Sequence, residues 1–395
     1  MQTHYSYIIA GAGCAGLSLA MRLVQEPALA NKTILIIEQD AKQINDRTWC
    51  FWEQSVGFFD EIVYHRWNEL LFHSDTETIP LQIQPYQYKM IRGIDFYNYC
   101  KQKLQQYKQI TWLQATVVDC VMLQQQATVN TTIGSFTADY VFNSIMLPAT
   151  KALINQTTAI KLVQHFKGWI IETPEPIFNP NKAYFMDFRV GQENGTTFVY
   201  VLPFSSTKAL VEYTFFNEAI LPDEAYDNLL TQYLKTYWQL TNYTILETEF
   251  GVIPMTNFPF SSHKQSIIHL GTVGGYTKPS SGFTFQFIQK HTQAITQALV
   301  HNYSPIINTS FWQKRFFLYD ATLLHVLSKN ALMGRQVFTA LFQKQKATTI
   351  LKFLDNETNF KEELFILNSV PTKVFLPAAF IAFFQSLKLS IITKK

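Results

Sequence analysis

Tyr7-Ile8-Ile9-Ala10-Gly11-Ala12-Gly13-Cys14-Ala15-Gly16 reads as a buried strand that breaks into a glycine loop and then enters a helix. A second apolar run, Thr33 to Ile37, ends at Glu38. The spacing has a chemical reason. Gly11 permits the tight turn, Gly13 lets a pyrophosphate approach the backbone, and Gly16 allows the helix to pack closely on the strand. The helix start offers free N–H groups and partial positive charge to phosphates. Glu38, at the end of the second strand, is placed to accept hydrogen bonds from a ribose. Strand, loop, helix and acid together predict a βαβ dinucleotide-binding unit.

The chain has 395 residues, long enough for roughly two or three folding units. Charged residues are 15% of the sequence, against ~25% in ordinary soluble domains, and aromatic residues are also 15%. That balance fits either a large aromatic core, or a wide apolar channel or membrane-touching face; the shortage of charge favours the second. A net charge of +3 without a dense Lys/Arg block argues against nucleic acid. Cys14, Cys50, Cys100 and Cys120 show no CxxC spacing, and their usage suits a reducing cytoplasm. The histidines, His269 and His291 among them, have no ligand spacing, so no metal is expected. The apolar N-terminus lacks a basic leader and reads as the first strand, not a signal peptide. No apolar run spans a bilayer convincingly. The nearest, Val374 to Ser386, is short and contains Pro377.

Patterning predicts an α/β chain in four stretches. Residues 1–150 begin a Rossmann-type nucleotide-binding domain, with a helix over 95–105 and a β-meander over 109–142. Residues 151–255 are an inserted antiparallel sheet for substrate. Residues 256–305 return to the nucleotide domain, with a helix over 284–299. Residues 306–395 are helical, with amphipathic aromatic stretches and the basic end Lys394-Lys395 as a candidate membrane contact.

The strand Ser266 to Leu270 leads into a second glycine loop that keeps Gly271, Gly275, Pro279 and Gly282. Flavoproteins similar to glutathione reductase and the aromatic hydroxylases carry GDAAGxxxPxxGxG at such a loop, which closes over FAD. Here Thr272 stands at the Asp position. A narrower family lacks that Asp, and the chain resembles it over residues 5 to 350: the FAD-dependent lycopene β-cyclases. Phe185-Met186-Asp187-Phe188-Arg189 resembles the family's FMDxR segment. Leu202-Pro203-Phe204-Ser205 resembles its LPFS strand end, Leu210-Val211-Glu212-Tyr213-Thr214 its FLEET segment, and Gly251-Val252-Ile253-Pro254-Met255 its GVIPM turn. Three departures stand out. Tyr213 replaces the second acid of the family's pair, Asn143-Ser144-Ile145 replaces Asp-Ser/Ala-Arg, and Lys278 replaces the usual His before Pro279.

The resemblance implies a Rossmann-type FAD-binding domain with reduced FAD as cofactor and NADPH as the expected reductant. It also implies lycopene or a related acyclic carotenoid as substrate, met on the cytoplasmic face of a membrane by a peripherally bound enzyme. The reaction is a non-redox cyclisation: a proton adds to a terminal alkene, a neighbouring alkene closes the ring, and a ring proton leaves. A monooxygenase or an isoprenoid reductase on the same scaffold is the alternative. Strand alternation sets Leu210, Glu212 and Thr214 on one face, so Glu212 is either a desolvated acid–base group or an exposed residue on a wet edge. Asp187 is a second catalytic candidate, or else the partner of Arg189. Trp49, Phe51, Trp52 and Tyr213 are candidates to line the substrate channel, with core packing as the other reading of the first three. Arg92, like Arg47, either binds cofactor phosphate or sits in a surface ion pair.

Overall fold

The computed structural model describes residues 3–310, 312–330 and 332–392. At the centre of an eight-stranded sheet lies the strand His4–Ala10, flanked in parallel by Ile34–Glu38 and Gly134–Asn143. Ile110–Gln114 and Ile267–His269 continue the parallel order outward. Alternation sorts these strands between two apolar layers. Ile9, Ile34 and Ile36 pack with the helices Cys14–Gln25 and Phe285–Val300. Ile8, Leu35 and Ile37 pack beneath an antiparallel meander that includes Val117 and Val129. With both faces covered, the strands can be apolar throughout, as the opening sequence is.

A second, seven-stranded sheet runs in the order Thr244–Met255, Leu162–Glu172, Lys208–Asn217, Thr196–Pro203, Lys182–Asp187, Glu69–His73, Thr78–Gln82. Its last two strands come from the N-terminal part of the chain. One face is closed by the helix Asp223–Trp238, against which Val211, Tyr213 and Phe215 pack. The other face looks toward a three-stranded sheet, Thr48–Glu53, His65–Trp67 and Gln87–Arg92, and toward the C-terminal helices. Gly251 to Met255, expected as a turn, instead continues the edge strand Thr244–Met255. Gly251 serves the neighbouring strand: a Cβ there would lie 2.2 Å from the ring of Phe166.

The C-terminal third is helical, over Lys314–Ser328, Gly334–Lys344, Ala347–Leu354, Phe360–Leu367 and Thr372–Ile392. The last of these corrects the expected short segment: it runs for 21 residues with Pro377 inside it. Pro377 removes the hydrogen bond its own N–H would have made one turn back, and its ring crowds the carbonyl of Lys373 near the start of the helix. The helix is long and apolar enough to cross a membrane by length and composition. Ala378, Ala382 and Leu389 are buried, while Leu376, Phe380, Ile381, Phe383, Phe384 and Leu387 are exposed. Lys394-Lys395, the basic end noted in the sequence, lies outside the described residues.

Lys278 ties the second glycine loop to these helices. Its ammonium lies 2.9 Å from Asp320 of Lys314–Ser328 and donates to Asn356 at 2.7 Å, with both charged side chains almost wholly buried. Ser280 adds a hydrogen bond to the same carboxylate. Removing one member strands the other charge in an apolar setting. Asp320→Ala is therefore expected to lower unfolding free energy by about 3–5 kcal/mol in denaturant titration. The double change Lys278→Met with Asp320→Leu should recover most of that loss.

Candidate active site

The first glycine loop has the properties its spacing predicts. Gly11 adopts φ +97°, which favours glycine. A Cβ on Gly16 would lie 2.0 Å from the carbonyl oxygen of Gly11, so this position holds the helix against the strand. A Cβ on Gly13 would meet nothing within 4 Å, so this backbone faces open space. Gly13 also caps the helix Cys14–Gln25 without a side-chain hydrogen bond, leaving its first N–H groups available. Glu38 accepts from the backbone N–H of Ala12 at 2.8 Å and of Asp40 at 3.1 Å, bracing the loop from the neighbouring strand.

The open side of this loop belongs to a cavity of about 430 Å3 that reaches the seven-stranded sheet. Gly11, Gly13, Glu38, Ser144, Gly271, Thr272 and Gly282 share its wall with Trp49, Phe166, Tyr200, Glu212 and Glu249. A Cβ on Gly271 would lie 3.3 Å from the Cβ of Ala15, so the two glycine loops lie close together. Thr272, at the departed Asp position, shares a hydrogen bond with the Thr277 hydroxyl at 2.9 Å. The chain thus holds a dinucleotide-shaped cradle at one end of a space whose other end is largely apolar. Gly275 and Pro279 do not line the space. Gly275, at φ +79°, closes the short helical turn Gly271–Gly274 that shapes the loop.

Glu212 faces into this cavity from Lys208–Asn217 and accepts from the Thr214 hydroxyl at 2.8 Å. The Glu212 side chain is half-buried, its open side being the cavity. Burial raises its pKa well above the ordinary carboxylate value, and the neighbouring Glu249 raises it further. Glu249 comes from Thr244–Met255 and accepts from the Thr48 hydroxyl at 2.5 Å. Burial raises its pKa too, while the Thr48 hydroxyl and the contact with Glu212 hold it down. The sequence reading missed Glu249. The available signal was its place two residues before Gly251, but nothing local says which strand it pairs with.

Several expected site residues are elsewhere. Arg92 is not at the cavity: it makes a two-pronged pair with Asp95 at 2.6 and 2.9 Å, and its guanidinium stacks 4.1 Å from the Tyr64 ring centre. Arg47 is the arginine in the cavity wall. Tyr213 points away from Glu212, because adjacent strand residues face opposite ways, and packs under the helix Asp223–Trp238. Asp187 is fully buried outside the cavity, accepting from Arg189 Nε at 2.9 Å and from the Tyr233 hydroxyl at 2.7 Å. Those donors make it a structural anchor away from the cavity. Trp49 lines the cavity, whereas Phe51 stacks on Phe285 with ring centres 4.3 Å apart and Trp52 is buried against Phe283 and Phe185. Phe51 and Trp52 are core residues supporting the wall from behind. Among the described residues, no three His, Cys, Asp or Glu side chains converge as a metal site requires.

The fold has many relatives of known structure. A geranylgeranyl bacteriochlorophyll reductase-like protein from Thermoplasma acidophilum superposes with a TM-score of 0.67, at 12% identity over 97% of this chain and 99% of its own. A flavoprotein/dehydrogenase from Cytophaga hutchinsonii gives 0.62, at 11% identity over 96% and 99% of the two chains. PqsL of Pseudomonas aeruginosa, described as a probable FAD-dependent monooxygenase, gives 0.60, at 13% identity over 86% and 100%. The α/β architecture expected from the sequence is thus that of the flavin-dependent oxidoreductases and monooxygenases. In sequence, a lycopene beta-cyclase from Pantoea ananas is 24% identical over 337 residues, covering 80% of this chain and 82% of that protein. The family described as Lycopene cyclase protein matches residues 7–379. By that match, which runs through both glycine loops and both cavity carboxylates, the chain belongs to the lycopene cyclase family.

Proposed function

We propose that this protein is a lycopene β-cyclase: it closes the ends of lycopene, or of a related acyclic carotenoid, into β-ionone rings by acid–base chemistry. One observation carries the reading. A carboxyl group whose pKa is raised by burial, Glu212, lies in the same cavity as an open dinucleotide loop. Protonating an isolated alkene calls for a carboxylic acid with little competing water, and Leu202, Leu210 and Phe166 line the cavity that Glu212 faces, so an apolar substrate seated there would displace the water. Trp49 and Tyr200 present aromatic faces in the same space, where they favour a cationic substrate.

The cradle fits FAD. Gly13 and the start of Cys14–Gln25 would take the pyrophosphate, Glu38 the ribose, and Gly271, Thr272 and Gly282 the flavin side. When bound in its reduced form, with NADPH as reductant, the flavin supplies negative charge toward a carbocation. The chain's own residues do the rest. The cavity wall and the seated apolar substrate together exclude water, Thr214 orients the Glu212 carboxyl, and Glu212 delivers the proton.

Expression in cells that accumulate lycopene tests the reading, with conversion to bicyclic β-carotene as the expected result. Saturated chains would point to a reductase and oxygenated products to a monooxygenase, and either would overturn it. Glu212→Gln should lower cyclisation by at least about 10²-fold while bound flavin is retained.

The sign of the linked pH effect follows from the raised pKa. The folded state keeps the Glu212 proton above the pH where the unfolded chain has lost it. Stability from this group is therefore full below the ordinary carboxylate range and falls as pH rises toward the folded value. Glu212→Gln removes that dependence. Thermal melts should show the variant gaining on the parent at alkaline pH and not at acid pH.

We also place the protein on the cytoplasmic face of the membrane, held peripherally by the helix Thr372–Ile392. Its apolar side chains are exposed in a broad band, it carries Lys373 and Lys388, and it contains no acid. Those features suit an anionic lipid surface. Flotation with vesicles containing anionic lipid should recover the protein. Joint replacement of Phe380, Phe383 and Phe384 by Asp should abolish recovery, and release by alkaline carbonate should distinguish a surface helix from a spanning one.

A further inference from the structure

Glu212 and Glu249 sit on different strands, separated by one. The strand between them, Leu162–Glu172, places Gly168 directly opposite Glu212 on one side and directly opposite Glu249 on the other. Cross-strand partners project from the same face of a sheet, so the residue at 168 would normally stand between the two acids. Glycine leaves that place empty. A Cβ on Gly168 would lie 3.0 Å from Glu249 Cγ and 3.1 Å from Glu249 Oε1, and 2.9 Å from Leu210 Cδ1. The two carboxyl groups come within interaction range of each other over this gap. Oε1 of Glu249 is buried and receives no donor from any described N–H or hydroxyl group. A proton on the Glu212 carboxyl would supply the missing donor.

We propose that Glu249 is the second carboxylate of the acid–base centre, sharing one proton with Glu212 across the Gly168 gap and receiving the ring proton that leaves the substrate. This rests on the cyclase reading above for the substrate, but the shared proton does not. In the first step the Glu212 O–H bond breaks and a C–H bond forms at the terminal alkene, leaving two carboxylates facing a tertiary cation. The neighbouring alkene then forms the C–C bond of the ring. A ring C–H bond breaks, its electron pair becomes the ring double bond, and its proton goes to Glu249. Transfer along the carboxyl–carboxyl hydrogen bond restores protonated Glu212. One proton enters and one leaves, so no electron acceptor or donor is consumed.

A pair suits this sequence better than one acid does. A lone carboxyl must be strong enough to protonate an alkene and then basic enough to take a proton back. Two like charges in contact cannot both ionise easily, so one group stays acidic in function while the other stays ready as base. The groups facing the pair are consistent with this division. Thr214 bonds to Glu212, and Cys50, Tyr88 and Tyr200 lie near it as neutral groups with pKa values raised by burial. Thr48 bonds to Glu249, with Glu247 opposing and Arg47 favouring its ionised form.

Glu249→Gln is the decisive variant, made in the full chain loaded with reduced FAD and judged folded by flavin content and thermal melt. Cyclisation is expected to fall about 10²-fold or more, and the alkaline limb of the pH–rate profile to move to lower pH, because Glu212 loses its repelling neighbour. Unchanged rate and profile in an active enzyme would overturn the proposal while leaving the cyclase reading intact. Infrared difference titration gives a readout independent of turnover. The parent should show one buried carboxylic acid band that Glu212→Gln removes and Glu249→Gln shifts to lower pH. A band indifferent to Glu249→Gln would overturn the shared proton even if the parent proved not to cyclise lycopene. Gly168→Ala, which keeps both acids and inserts a methyl group between them, should also lower the rate and move the limb; parental behaviour would count against the pair.

Discussion

A carboxylic acid keeps its proton above the ordinary carboxylate range only if its ionised form is made costly, and the wall around Glu212 imposes this cost. The seven-stranded sheet supplies one side of that wall and the small sheet carrying Trp49 and Cys50 another. Phe51 and Trp52 fill the space behind. Where such a group would ordinarily relieve its burial by ionising beside a cation, the neighbours here are Thr214 and a second acid, so relief comes through a shared proton. The same desolvation that would cost stability at high pH raises the pKa of the Glu212 carboxyl, the group proposed to deliver the proton.

Much of this was legible in the chain. The loop Gly11 to Gly16 and the acid Glu38 depend only on local spacing, which a linear reading captures well. Strand alternation around Glu212 also carried the correct side of the sheet. It further implied that Tyr213 faces away, since positions 212 and 213 cannot share a face; the family pattern of adjacent acids obscured that. Arg92 had its partner three residues on, at the start of the helix Gly93–Leu104, where a neighbouring acid captures a guanidinium before a distant phosphate does. Glu249 was not legible, because its role arises from register between strands more than thirty residues apart. Gly168 looked like any strand glycine until both ladders were in place.

Two lysine and carboxylate arrangements show how the fold spends charge sparingly. Lys278 and Asp320 clamp the second glycine loop to the C-terminal helices, so the cradle and the apolar end of the chain form one connected body. Lys89 meets Glu53 and Asp60 at 2.8 and 2.6 Å beneath the small sheet. In a chain with so few charges, these buried ion contacts lie at junctions between layers, where their directionality favours one arrangement of an otherwise apolar assembly.

The strand that bears Glu249 is the outermost of its sheet and is bonded on one side only, to Leu162–Glu172. A slip of one residue along that single ladder would turn its side chains over and bring Thr248 or Phe250 to the place of the carboxylate. The ladder contains an irregularity between Ile170 and Ile171, where the register shifts before Ile245. Such a kink admits only one alignment of the two strands, as an off-centre notch admits only one seating of a key. Chemistry at the centre of the cavity is thereby indexed by a flaw at the end of the sheet.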